Sequence, residues 1–328
     1  MDRGAIIFKS VSDFDAFYQN GYVLFHHLIG ADEINELEKL FEQYYHTRLE
    51  EGFYSSLMLH DPVKRRAISN RITSILMPFI NKVCQNHQAY LAAFMFKIPT
   101  NKLTVDTHQD WTYVNEKTNI SFNCWIPLCD TDVTNGGLCM LPGTQYQFLE
   151  TYRTPNIPFF YQGNEDVPLE YLIPVYAKKG DAVFFDNSIL HASTSNTSAL
   201  NRKAIVVCLK QEGAQMIFLN GDAKNRAINI YRQEDDYIFK FDDILTDTKH
   251  APKTGQKIGT IELSKNIVYQ REELYEIFED AHKSTHNTKC DFLKNHIIAS
   301  SLSKENTDKI NKNRINKNYI INKIKKIF

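Results

Sequence analysis

The chain of 328 residues has no Cys-x-x-Cys pair, no apolar run long enough to span a membrane and almost no net charge. Each absence removes a class of function. Six cysteines (Cys84, Cys124, Cys129, Cys139, Cys208 and Cys290) lack zinc-type spacing, and most sit in apolar runs. They read as free, buried thiols in a reducing compartment. A formal charge of -1 gives no global field that selects nucleic acid. Met1 to Ser10 has no positive region followed by an apolar stretch, and no later segment reaches the roughly 18 apolar residues of a span. The expectation is a soluble cytoplasmic protein with a small-molecule substrate and no nucleic-acid partner. No internal repeat is visible.

What the chain does have is core material, with 43 % hydrophobic and 12 % aromatic residues. Ser12-Asp13 opens a short helix to about Asn20, Gly21 breaks it, and Tyr22 to His26 reads as a strand. Ile34, Leu37, Leu40, Phe41 and Tyr44 recur at helical spacing, as do Ile72, Ile75, Leu76, Phe79, Ile80 and Val83. From Leu91 the period shortens. Leu91–Ile98, Ser121–Leu128, Leu138–Leu141, Leu172–Tyr176, Ala182–Phe185 and Ala204–Leu209 are short apolar or alternating runs, several separated by Gly-rich turns. Helices first and then a block of strands predict an α+β protein with a sandwich or barrel. The expected division is a core over 1–220 and a mostly helical C-terminal extension over 221–328. The tail from Lys304, with eight Lys or Arg against Glu305 and Asp308, reads as a solvated end.

Chemistry concentrates in two clusters. In Thr107-His108-Gln109-Asp110-Trp111, extended backbone turns His108 and Asp110 to one side and Gln109 to the other. In the second cluster, Gly180 to Asp186 runs into His191, and Arg202 follows eleven residues later. A His-x-Asp pair alone is ordinary at this composition; its weight comes from a third ligand, His191, after another apolar run and from Arg202 as a fixed cation. Two neutral imidazoles and one carboxylate on one face suit a non-haem Fe(II) centre that activates oxygen. His26 and His27 adjoin a strand on opposite faces, so both cannot join this site. His60, His87, His282, His286 and His296 read as structural or exposed.

Several stretches, in order and at matching spacing, resemble the phytanoyl-CoA dioxygenase family. These are Phe96-Lys97-Ile98-Pro99, His108-Gln109-Asp110-Trp111, Trp125 through Asn135-Gly136-Gly137-Leu138 to Leu141-Pro142-Gly143-Thr144, and Gly180-Asp181 through His191 to Arg202-Lys203-Ala204-Ile205. The resemblance implies a double-stranded β-helix, or cupin-like jelly-roll, that uses Fe(II), 2-oxoglutarate and O2. By position it implies His108, Asp110 and His191 as iron ligands, and Arg202 as a bidentate partner of the distal carboxylate of 2-oxoglutarate. It places Ser193 at the same end, and Lys97 and Trp125 near the cosubstrate.

The implied reaction is oxidation of an unactivated C–H bond, by default hydroxylation in specialised-metabolite biosynthesis. Desaturation and oxidative cyclisation use the same ligands, whereas halogenation is disfavoured because Asp110 is retained. A catalytically silent jelly-roll binding module is the alternative of another class, and the complete set His108, Asp110, His191 and Arg202 argues against it. Gln145 departs from the family pattern, standing where a histidine is common.

Overall fold

A computed structural model describes residues 6–45, 52–99, 105–147, 152–154, 156–222, 226–242, 247, 250–263 and 268–285. Three helices and two strands come first. These are α1 (Val11–Asn20), β1 (Tyr22–Phe25), α2 (Ala31–Tyr44), β2 (Phe53–Ser55) and α3 (Pro62–Val83). Ser10 caps α1 through its side chain, and Gly21 ends it in the left-handed region at φ 80°. That conformation costs glycine nothing and turns the chain directly into β1.

The strand block follows, with β3 (His87–Lys97), β4 (Val105–His108), β5 (Ser121–Pro127), β6 (Leu138–Leu141), a short α4 (Thr144–Gln147), β7 (Ile173–Pro174), β8 (Ala182–Asp186), β9 (Leu190–Ser193) and β10 (Arg202–Gln211). One antiparallel sheet has the order β1-β8-β5-β10-β3-β2 and a second the order β4-β9-β6-β7. Alternation along the strands of the first sheet explains its two faces. Phe122, Cys124 and Ile126 of β5, with Ile205, Val207 and Leu209 of β10, join Leu37, Ile72 and Leu76 in the core beneath the helices. Their in-between neighbours turn the other way. Trp125, Val183, Phe185 and Ala204 there meet Leu138 and Met140 of the second sheet. Two sheets packed face to face with helices against one outer side form the jelly-roll.

Past Asn220, where the sequence predicts mainly helix, the described chain forms a three-stranded sheet before its helix. The strands are β11 (Ile217–Asp222), β12 (Ala227–Arg232) and β13 (Gln256–Glu262), and α5 (Arg271–Ser284) follows. Residues of β13 alternate only between exposed and half-buried. Backbone pairing to β12 holds the strand, so no apolar period marks it in the sequence. In α5, Leu274, Phe278 and Ala281 are buried as their helical spacing predicts. Leu274 and Phe278 pack with Phe160, Tyr161 and Leu172 over Cys139, Leu141 and Leu190, the outer side of the second sheet. Both sheets are therefore covered outside, and the space between them is left for the site.

Cys84, Cys124, Cys129, Cys139 and Cys208 are all free thiols. Among the described residues no helix is long and apolar enough to cross a membrane. Cys290, His286, His296 and the basic tail from Lys304 lie outside the described residues.

Candidate metal centre

Strands β4 and β9 pair antiparallel with His108 directly opposite His191. Side chains of directly opposed residues leave the same face of a sheet, so the two imidazoles come together, ring centroids 4.2 Å apart. Asp110 lies just past the end of β4 in extended chain, its N–H donating to the carbonyl of Asn187 at 3.0 Å. Its carboxylate closes the group. Oδ1 is 3.9 Å from His108 Nε2 and Oδ2 is 3.9 Å from His191 Nε2. One ligand atom from each of the three residues lies within 4.8 Å of the others. Gln109 turns away as alternation requires and donates to the Ser188 carbonyl.

Both histidines are fixed in one tautomer by the same device. His108 Nδ1 is 2.8 Å from the Asp106 carbonyl oxygen, and His191 Nδ1 is 3.1 Å from that of Ile189. A carbonyl only accepts, so each Nδ1 carries the hydrogen and each Nε2 turns a lone pair toward Asp110. Burial, with His191 alongside, pushes His108 down to about 4. Burial, reinforced by Arg153, does the same to His191, also to about 4. Both rings are thus neutral, ligand-ready bases at physiological pH. Burial pushes Asp110 up, against the pull of His108, Arg153 and the Asn123 amide.

These shifts set a pH dependence for the metal-free protein. The unfolded chain holds protons on both imidazoles up to about 6.5, the folded chain only up to about 4, so stability rises with pH across that window. Asp110, raised rather than lowered, works in the opposite direction. Melting curves of the metal-free protein are expected to climb across the window, with a shallower climb for His191→Ala. Equal slopes would contradict this account.

A second group forms at the other end of the space between the sheets. Arg202 opens β10 opposite Lys97 on β3, and it is 3 % exposed. Its guanidinium stands over the Trp125 ring at 5.8 Å and donates through Nη1 to the Met95 carbonyl at 3.3 Å. Burial lowers its pKa to about 10, which leaves it charged. Lys97 Nζ donates to the carbonyls of Ser193 and Thr194 at 3.1 and 2.5 Å. Ser193 thereby meets Lys97 through its backbone, and Trp125 packs in the inner core below Arg202. Arg202 Nε and Thr194 Oγ1 are buried with no hydrogen-bond partner. A buried donor without an acceptor is costly, and a ligand carboxylate would satisfy it. Gly136, at φ 90°, makes this closeness workable: a Cβ there would lie 2.7 Å from Lys97 Cδ and 3.2 Å from the Thr194 carbonyl.

Three supports have no periodic signal in the sequence. Asn123 Nδ2 on β5 donates to Asp110 Oδ2 at 2.6 Å. Arg153 Nε donates to the Asp110 carbonyl at 2.6 Å, and its guanidinium pairs with Glu116 through two contacts of 2.6 Å. Tyr161 donates to the Thr107 carbonyl, just before His108. Of the other histidines, His26 pairs with Asp181 at 3.1 Å and takes no part in the group.

Comparison with known proteins agrees with this arrangement. The family model described as phytanoyl-CoA dioxygenase (PhyH) matches residues 17–204, which include both ligand clusters and Arg202. A Dictyostelium discoideum phytanoyl-CoA dioxygenase domain-containing protein 1 homolog is 27% identical over 162 residues, 47% of this chain and 52% of its own length. The mouse peroxisomal phytanoyl-CoA dioxygenase is 30% identical over 132 residues, 38% of each chain. The chain thus spans about half the length of these relatives or less. Among solved structures, the carbocyclase SnoK from nogalamycin biosynthesis superposes with a TM-score of 0.45 at 18% identity, over 63% of this chain and 86% of that one. HygX from Streptomyces hygroscopicus gives 0.45 at 12% identity, over 62% and 87%. Because the family model covers more than half of the 328 residues and takes in every residue of the two groups, the chain belongs to the phytanoyl-CoA dioxygenase family.

Proposed function

We propose that the protein is an Fe(II)/2-oxoglutarate-dependent oxygenase acting on a small molecule. The single observation that carries this is the pairing of a neutral two-histidine, one-carboxylate group with a buried, partly unsatisfied arginine between the same two sheets. Hard oxygen and imidazole donors on one face suit Fe(II), and a planar guanidinium suits the far carboxylate of a keto diacid. With both groups bound, the centre supplies oxidative decarboxylation of 2-oxoglutarate to succinate coupled to oxidation of a C–H bond, by default hydroxylation.

The residues' own work is positional. His108, Asp110 and His191 would hold the ion, and the carbonyls of Asp106 and Ile189 hold the rings. Arg202, standing over the Trp125 ring and flanked by Lys97, which ties down the backbone of Ser193 and Thr194, would hold the cosubstrate's distal end. Burial on both sides keeps water from the reacting centre. Asp110, 23 % exposed at its side chain, marks the side that faces outward. Trp111 and Tyr113, each half-buried, stand next to it with rings 6.4 Å apart and offer the substrate an aromatic wall.

Anaerobic addition of Fe(II) and 2-oxoglutarate tests the reading. A weak metal-to-ligand absorption band is expected for the natural protein and none for His108→Ala. Identical spectra would sink the assignment. Arg202→Lys keeps the charge but loses the fork, so the same titration is expected to show 2-oxoglutarate binding weakened about tenfold, ~1.4 kcal/mol. Unchanged affinity would remove Arg202 from the anchoring role.

A further inference from the structure

Asn123 interrupts the apolar run that follows Ser121 in the strand Ser-Phe-Asn-Cys-Trp-Ile-Pro, and is 4 % exposed. Asparagine is a poor strand former, and a buried amide is costly unless it is bonded. Its side chain makes one hydrogen bond, from Nδ2 to Asp110 Oδ2 at 2.6 Å, and Oδ1 has no hydrogen-bond partner. A carboxylate accepts and does not donate, which fixes the amide with nitrogen toward Asp110. The contact crosses from one sheet to the other and does nothing for the pairing of β5 itself.

The two oxygens of Asp110 are otherwise equivalent toward the histidines, Oδ1 3.9 Å from one Nε2 and Oδ2 3.9 Å from the other. Asn123 breaks that symmetry by engaging Oδ2 alone. A carboxylate can bind a divalent ion through one oxygen or through both. An ion held by two imidazoles and one carboxylate oxygen would, if six-coordinate, keep three positions open, enough for a chelating keto acid and one further ligand. A second carboxylate oxygen would take one of those three.

We propose that Asn123 is a positioning residue that restrains Asp110 to single-oxygen coordination and so keeps the third open position of the metal centre available. The inference rests on the iron-site reading above.

The test uses the full chain under anaerobic conditions with Co(II) as probe, followed by 2-oxoglutarate, read by the visible absorption of the ion. Asn123→Ala is expected to keep its melting temperature and still bind Co(II). Its metal-loaded form is expected to show a changed absorption envelope and to bind 2-oxoglutarate about 10–100-fold more weakly, as loss of a group orienting a metal ligand generally costs. Asn123→Ser, which removes less volume, is the second variant and carries the same expectation. Cys208→Ala is the control, since Cys208 is the cross-strand partner of Asn123 and opens a hole without touching the amide contact. Its spectrum and cosubstrate affinity are expected to match the natural protein.

A spectrum and an affinity unchanged in both Asn123 variants overturn the proposal, as does an equal loss in Cys208→Ala. If the natural protein gives no Co(II) spectrum, or His108→Ala gives the same one, the iron-site reading falls and this inference falls with it. The two failures are therefore distinguishable.

Discussion

Replacing His191 by alanine is expected to lower 2-oxoglutarate turnover by at least about a thousandfold, ~4 kcal/mol on the barrier. Among the described residues His191 offers one of three ligand atoms in the group proposed to hold iron, and its position opposite His108 is set by the β4–β9 pairing. Alanine keeps the strand, its hydrogen bonds and its register, because the ladder depends on backbone groups. The fold should persist while the ion is lost. Succinate formation with Fe(II), O2 and 2-oxoglutarate is the direct measurement, with circular dichroism to check folding. A folded variant that still makes succinate at a tenth of the natural rate would show that His191 is not a ligand.

Glu116→Gln is expected to cost about 3 kcal/mol of stability, the lower end of what breaking one partner of a buried ion pair costs. Glu116 and Arg153 are 3 % and 4 % exposed at their side chains, and their carboxylate and guanidinium meet through two short contacts. Glutamine removes the charge but leaves the guanidinium buried. The effect should reach the metal centre, because Arg153 also donates to the Asp110 carbonyl, and Thr112 N–H donates to the Arg153 carbonyl at 3.0 Å. Denaturant unfolding measures the loss. The double variant Glu116→Leu, Arg153→Met is expected to be more stable than Glu116→Gln, since replacing both charges leaves none unpaired. A double variant less stable than the single one would show that the pair contributes through more than its own neutralisation.

How much of this was legible beforehand depended on where the physics is local. The helical stripes of α2 and α3 each bury one face and so impose a period, whereas β5, β8 and β10, buried on both faces, show as short apolar runs. Strands β4 and β9, four residues each, are too short to show one, although their ligands were found through chemistry. In the sheet β11–β12–β13 only β13 is exposed enough to leave residue choice free and carry no period, while β11 is buried from Ile217 to Asn220. Arg153 and Glu116 stand 37 residues apart, and Asn123 and Asp110 stand 13 apart. Nothing in either partner's neighbourhood announces the other, because a buried polar contact constrains two residues jointly and neither alone.

Residue type and short spacing alone pointed to the fold class, the two candidate clusters and the arginine, since they carry coordination chemistry and hydrophobic period. The tertiary structure decided the rest. It paired His108 against His191, set Lys97 on the carbonyls of Ser193 and Thr194, placed Arg202 over the Trp125 ring and brought Asn123 across from the opposite sheet to one oxygen of Asp110. Those relations come from strand register and from two sheets closing on each other, and register is a property of the pairing between segments rather than of any one segment.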